Sequence, residues 1–322
     1  MLRFLIRRLL TGVVVLFLIS LVVFWLFFIH PGNVVQTLLG KFAGKDPQLV
    51  KTVTHQLGLD QPIYEQYWNY LVRLLHGDLG TSYYSHQPVS YLLGQALPKT
   101  LSLALGAAVL WLVFGVLIGV LSATRPRSIW DRGATAFALT GLSFPTFVLG
   151  NILLLLLFFY PKTSGFTLFP PAGSYTPITQ NVIEWAYDLI LPWVTLAVVT
   201  MATYVRLTRG QMLEVLGEDY IRTARSKGLS KLRVTYRHGL RAALVPVITQ
   251  FGIDLGGLLG GVIVTEQVFG INGLGRLSVT SVINQDEPVI IAVVLLAAVF
   301  VVLANIVVDL IYAVLDPRVR LS

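Results

Sequence analysis

Six stretches of this chain are long and apolar enough to cross a bilayer: Leu9 to Phe28, Thr100 to Ala123, Ala134 to Tyr160, Leu189 to Tyr204, Pro246 to Phe269 and Pro288 to Leu315. A helix needs about 20 apolar residues to span the hydrocarbon core. Lipid offers no partner for backbone polar groups, so only helices or closed barrels can span it. These runs do not alternate with period two, which argues against a barrel. Composition agrees: 55% of the 322 residues are hydrophobic and 12% charged, about half the charged share of a soluble protein. The expected fold class is an all-α integral membrane protein with six transmembrane helices.

The basic residues set the orientation. With the N-terminus in the cytoplasm, 17 of the 24 lysines and arginines fall in cytoplasmic segments, nine of them between Arg206 and Arg241. Most of the others lie in one long outer loop, which the positive-inside rule discounts. Both termini are then inside, which requires an even number of spans. The net charge of +8 reflects this topology rather than a nucleic-acid partner. The first span exceeds the apolar core of a signal peptide, and no small-x-small cleavage site follows it; His30-Pro31-Gly32 is expected to end it as a retained helix. The organisation expected is an N-terminal helix (1–30), an extracytoplasmic loop region (31–97), a five-helix core (98–315) with a cytoplasmic loop at about 205–245, and a cytoplasmic tail (316–322).

Several chemistries are disfavoured. The chain has no cysteine, which removes disulfides, thiol catalysis and cysteine metal sites. Its five histidines lack metal-ligand spacing. No G-x-x-x-x-G-K-[S/T] phosphate loop occurs, so ATP has no such site on this chain. A membrane-embedded hydrolase needs a nucleophile held with a base, paired carboxylates, or a metal; Asp254 and Asp309 lie on different spans.

Two connections are long. In the outer one, aromatic residues and leucines recur between Tyr64 and Leu75 at helical spacing, predicting an amphipathic helix on the membrane face. It is either a stabilising element or a docking surface. In the inner one, Asp219 can cap a short helix that Gly228 ends and Ser230 follows as the next cap. Tyr220, Ala224 and Gly228 fall on one face at spacing i, i+4, i+8, flanked by Arg222, Arg225 and Lys227. Such a helix is either a solvated basic face that only sets orientation or a plug for a socket on another protein.

The run Tyr220-Ile221-Arg222-Thr223-Ala224-Arg225-Ser226-Lys227-Gly228-Leu229-Ser230, followed by Arg237-His238-x-Leu240-Arg241-x-Ala243-Leu244-x-Pro246-Val247, resembles the cytoplasmic coupling loop of bacterial ABC importer permeases, and more narrowly the dipeptide/oligopeptide permease family. Three other stretches agree in register: Arg7-Arg8-Leu9-Leu10; Gly77-Asp78-Leu79-Gly80-x-Ser82 with Gln87-Pro88-Val89 and Leu97-Pro98-x-Thr100-Leu101; and Glu266-x-Val268-Phe269 with Gly273-Leu274-Gly275-Arg276-Leu277. Arg222 stands where the general motif has glutamate, and Asn272 where the family often has proline. The resemblance implies a second homologous permease subunit, two ATPase subunits that carry ATP and Mg, and an extracytoplasmic solute-binding protein. No cofactor is expected on this chain. It also implies that Tyr220, Arg222, Thr223, Ala224, Lys227, Gly228 and Leu229 contact an ATPase. The family also includes carriers of nickel chelates, glutathione and oligosaccharides. An ion-coupled secondary transporter is a different class, with paired broken helices and more buried charge.

Within the spans, a carboxylate at the depth of Asp254 should face the bundle or a wet cavity. It either lines the path, with Gln250 one turn earlier, or pairs with Arg206 or an amide. Glu266, near the outer end of the fifth span, is a third path candidate at an outer gate, and Asn305 and Asp309 are structural. Asp78, Gly273 and Arg276 are candidates for binding-protein docking. Gly252, Gly256, Gly257, Gly260 and Gly261 allow close packing, against either a partner permease or this chain.

Overall fold

The computed structural model describes residues 2–28, 47–56, 58, 60–166 and 168–315. The expected helix end at His30-Pro31-Gly32 and the tail 316–322 lie outside the described residues. Within them the fold is helical, apart from an isolated antiparallel bridge between Thr81 and Pro88. In chain order the helices are α1 (Leu2–Phe28), α2 (Pro47–Gln56), α3 (Ile63–Leu75), α4 (Val89–Thr124), α5 (Ile129–Ser143), α6 (Thr146–Leu154) and α7 (Tyr160–Thr163), then α8 (Val182–Gly217), α9 (Asp219–Ser226), α10 (Arg241–Phe269), α11 (Leu274–Ile283) and α12 (Glu287–Leu315). Wider π-helical turns, Leu155–Phe159 and Arg233–Leu240, join α6 to α7 and lead into α10.

Among the described residues, five helical segments are long and apolar enough to cross a membrane: Ile6–Phe27, Val89–Thr124, Thr146–Thr163, Val182–Gly217 and Glu287–Leu310. A bent pair, Arg233–Leu258 and Val262–Phe269 with axes 54° apart, makes a sixth if counted as one span. The third expected span, Ala134 to Tyr160, is not one helix. It breaks at Phe144, whose backbone is extended (φ −90°, ψ 123°). Pro145 follows, and a proline ring pushes the preceding residue out of the helical region. The expected cytoplasmic loop at 205–245 is also largely helical: α8 runs on to Gly217 as a 36-residue rod, about 54 Å at 1.5 Å per residue.

The chain forms two compact units, one drawn from 1–97 with 276–302 and the other from 98–275 with 303–322. In the first, the amphipathic helix expected between Tyr64 and Leu75 is α3. Its Tyr70 is buried with Val23, Phe24 and Leu295. Tyr67 meets Phe24 edge to face at 5.2 Å and shares a 3.0 Å hydrogen bond with Ser20.

In the second unit, α4 and α8 run parallel in close contact. A Cβ built on Gly106 would enter the Trp193 indole, one on Gly115 would meet Tyr204, and one on Gly119 would meet Thr208. The register advances together along both helices, and Gly115-x-x-x-Gly119 supplies the notch. Water expulsion gives little drive for helix association in lipid, so such close van der Waals packing does that work. The Trp193 indole N–H donates to the Ser102 carbonyl at 2.9 Å across the same seam.

Candidate functional site

The short helix α9 follows one residue after α8 ends. Glu218, not Asp219, occupies its N-cap, with an extended backbone (φ −67°, ψ 150°). Asp219 is the first helical residue, and its carboxylate accepts from Arg222 Nη1 at 3.3 Å. The other end closes as a Schellman motif: Leu229 N donates to Ala224 O (3.4 Å) and Gly228 N to Arg225 O (2.9 Å). This requires a left-handed residue after the cap, and Gly228 has φ +74°.

The face expected to present Tyr220, Ala224 and Gly228 together is divided. Ala224 is buried with Ile221 and Val234, and Val215, Leu216 and Leu229 close around them. Ile221 is the large aliphatic of this helix, so it turns inward and takes Ala224, one turn on, with it. What remains open is a basic surface: Tyr220 is 46% exposed, and Arg222, Thr223, Arg225, Lys227 and Gly228 are exposed. Burial raises the Tyr220 phenol above its ordinary range.

Asp131, at the start of α5, is buried, and four hydrogen bonds converge on its carboxylate. They come from Ser122 Oγ (2.6 Å), Arg127 N (2.8 Å), Arg209 Nε (2.6 Å) and Arg209 Nη2 (3.2 Å). The Arg209 guanidinium, then the Ser122 hydroxyl, hold this carboxyl far below the usual carboxylate range. The cluster ties the end of α4, the turn after it and the start of α5 to α8, two turns before Gly217.

Deeper in the bundle, Asp254 accepts from Tyr204 Oη at 2.7 Å and from Gln250 Nε2 at 2.9 Å. Its cross-bundle partner is therefore a phenol rather than Arg206, which is exposed. Tyr204 is fully buried beside Trp111, with ring centroids 6.4 Å apart. Gly252 abuts Val308 of α12, so this glycine packs within the chain, whereas Gly257 faces open space.

At the far end of α10, Glu266 is fully buried, so it does not line an open passage. Its carboxylate accepts from Thr100 Oγ1 (2.5 Å), and that oxygen in turn accepts from Leu274 N (2.7 Å). Gly273 lies so close that a Cβ there would enter the Glu266 carboxylate and the Thr100 hydroxyl. The glutamate and the glycine are thus two halves of one packing device. Gly273 is buried and cannot present a docking surface. Asn272, next to it, is exposed, and Arg276 is half-buried. Asp78 is exposed; its Oδ1 accepts from Gly80 N at 3.0 Å.

Residues 115–321 match the family described as binding-protein-dependent transport system inner membrane component, and residues 1–104 match its N-terminal companion. The chain belongs to this family. The permease is 39% identical to a probable peptide ABC transporter permease of Sinorhizobium fredii, over 98% of this chain and 99% of that relative. It is 40% identical to a glutathione transport system permease of Escherichia coli, over 99% of each chain. The fold is shared with the MetNI methionine ABC transporter in an inward-facing conformation: TM-score 0.54 at 21% identity, covering 70% of this chain and 97% of that one. The chain is thus an inner-membrane permease subunit of an ABC importer, in the dipeptide/oligopeptide permease family.

Two acids of the permease were not singled out in the sequence. Asp131 and Arg209 are 78 positions apart. Asp286, buried, accepts from Ser82 Oγ (2.5 Å) and Tyr83 N (2.9 Å) across more than 200 positions. Ser82 lies in a motif that the sequence did single out, and a buried serine there needs a partner; the motif could have prompted a search for that partner.

Proposed function

We propose that this permease pairs with a second, homologous permease to form a path for dipeptides or oligopeptides, delivered by an extracytoplasmic binding protein and driven by two separate ATPase subunits that hold ATP and Mg. Both termini are cytoplasmic, the region 31–97 is extracytoplasmic, and α9 between the fourth and fifth spans seats on an ATPase. The domain division at 30/31, 97/98 and 315/316 belongs to this reading.

One observation carries it. A two-turn helix at the end of a 36-residue rod keeps its basic side open, while Ile221 and Ala224 anchor it to the chain. A merely solvated loop needs no such anchor. Tyr220, Arg222, Thr223, Lys227 and Gly228 make the contact; Leu229 and Ala224 set the helix at the angle the contact needs. Asp254, held by Tyr204, and Gln250, which donates to Asp254, are half-buried and are the polar groups offered to a peptide. Asp78 and Arg276 remain the docking candidates for the binding protein. The glutathione permease relative supports small peptides as the cargo class. Replacing Gly228 with valine tests the coupling. No atom lies within 4 Å of a Cβ there, so the cost is left-handed backbone strain, about 1–2 kcal/mol. The variant is expected to reach the membrane at normal levels with peptide uptake lost and ATP hydrolysis retained. Normal uptake would overturn the assignment.

A further inference from the structure

The unit formed by 1–97 and 276–302 contains a cavity of about 410 Å³ that is separate from the proposed path groups Asp254 and Gln250; of its lining, Asp78 is also a docking candidate. Its floor is apolar, made by Phe27 at the end of α1 and by Ile291 and Leu295, one and two turns into α12. Its rim is ionic: Arg73, Asp78 and Glu287. Arg73 is exposed and forms no ion pair among the described residues. The Asp78 carboxylate spends one oxygen on Gly80 N, leaving the other open. The Tyr83 hydroxyl, also on the rim, is pushed up to about 12 by burial and by the nearby Glu287 and Asp286 carboxylates, so it stays a donor.

The surroundings match a bilayer surface. The floor residues belong to two helices that are candidate spans. The helix that walls the cavity, α3, leaves Ile63 (58%), Tyr64 (71%), Trp68 (64%) and Leu75 (77%) exposed. Aromatic and aliphatic groups on an amphipathic helix mark the interfacial layer. An occupant must therefore offer hydrocarbon below and, above it, one anionic and one cationic group.

We propose that this cavity binds a phospholipid of the outer leaflet with a primary-amine headgroup. Arg73 takes the phosphate, and Asp78 and Glu287 take the ammonium. A primary ammonium donates up to three hydrogen bonds to carboxylates; a quaternary one donates none. A headgroup with no cation leaves two carboxylates facing an anion. The order of preference is ethanolamine over choline over glycerol headgroups. The placement in the outer leaflet rests on the topology proposed above.

The test uses the full chain reconstituted in nanodiscs of equal phosphatidylethanolamine, phosphatidylcholine and phosphatidylglycerol, with retained lipid measured by native mass spectrometry. Phosphatidylethanolamine is expected to be enriched about tenfold over phosphatidylcholine, about 1.4 kcal/mol. Arg73→Ala is expected to reduce total retained lipid, and Asp78→Asn with Glu287→Gln to equalise ethanolamine and choline lipids. All three substitutions act at the rim and leave the packed floor intact. Equal retention of the two lipids by the unaltered chain, or enrichment that survives both variants, would overturn the proposal. Because the chain has no cysteine, His86→Cys on the same rim reports sidedness in intact cells and inside-out vesicles. Labelling by an impermeant maleimide from the outside supports the placement. Labelling only from the inside overturns the topology and with it the outer-leaflet site, whereas outside labelling without enrichment overturns the lipid site alone.

Discussion

Replacing Asp131 with asparagine removes one charge from a buried node and leaves its shape. Bonds to a charged acceptor contribute about 1.5–3 kcal/mol each, and breaking a buried ion pair costs about 3–5 kcal/mol. Arg209 keeps 33% of its side chain exposed, so its guanidinium can partly rehydrate. Discounted for that exposure, the cost falls below the buried-pair range, to about 2 kcal/mol for the variant. The Asp131 carboxyl is held below its unfolded-state range. Its contribution is therefore complete above about pH 5, where an unfolded aspartate is almost fully ionised, and fades as the pH falls through about 4 toward the depressed folded value. Unfolding of the detergent-solubilised chain, followed by tryptophan fluorescence, is expected to show the deficit in full at pH 7 and a smaller one below about pH 4. A double-mutant cycle with Arg209→Met should return a coupling of at least about 1 kcal/mol. A coupling near zero, or a deficit that grows on acidification, would refute the assignment of this pair as the clamp between α5 and α8.

Gly273→Ala drives a methyl into the Glu266 carboxylate and is expected to cost about 1–3 kcal/mol as overpacking; Glu266→Ala in the same chain should recover part of that loss in the same unfolding assay. Tyr204→Phe leaves Asp254 with its Gln250 contact but without its cross-bundle donor. Uptake should fall while membrane levels hold, and Asp254→Asn, which cannot carry the charge, should lower uptake at least as much.

The spans were legible because apolar length is a one-dimensional property that lipid reads directly. The same holds for α3, whose aromatic residues repeat at helical spacing. The Gly228 stop was legible because only glycine takes its φ cheaply. The break at Phe144 was also written in the sequence, as the residue before Pro145, but a long apolar run conceals it. What could not be read was which side of α9 faces inward. A helical wheel gives relative positions, and only Val234 and Leu216, supplied by other elements, show that Ile221 and Ala224 form the inner side. Asp131 with Arg209, and Asp286 with Ser82, join residues far apart in the chain, and neither member announces its partner. Gly273 beside Glu266 is similar: the motif holds both letters, but only the closing turn shows that one fills the space the other lacks.

Coupled transport depends on the open side of α9 meeting a separate ATPase. Single cysteines at Thr223 and, as a buried control, Ala224, introduced into this cysteine-free chain, allow direct cross-linking in assembled transporter. Cysteine at Thr223 is expected to cross-link to an ATPase subunit in a yield that changes with bound ATP, and cysteine at Ala224 to do so far less. Equal labelling of both by a soluble maleimide, with no ATPase adduct at Thr223, would contradict it.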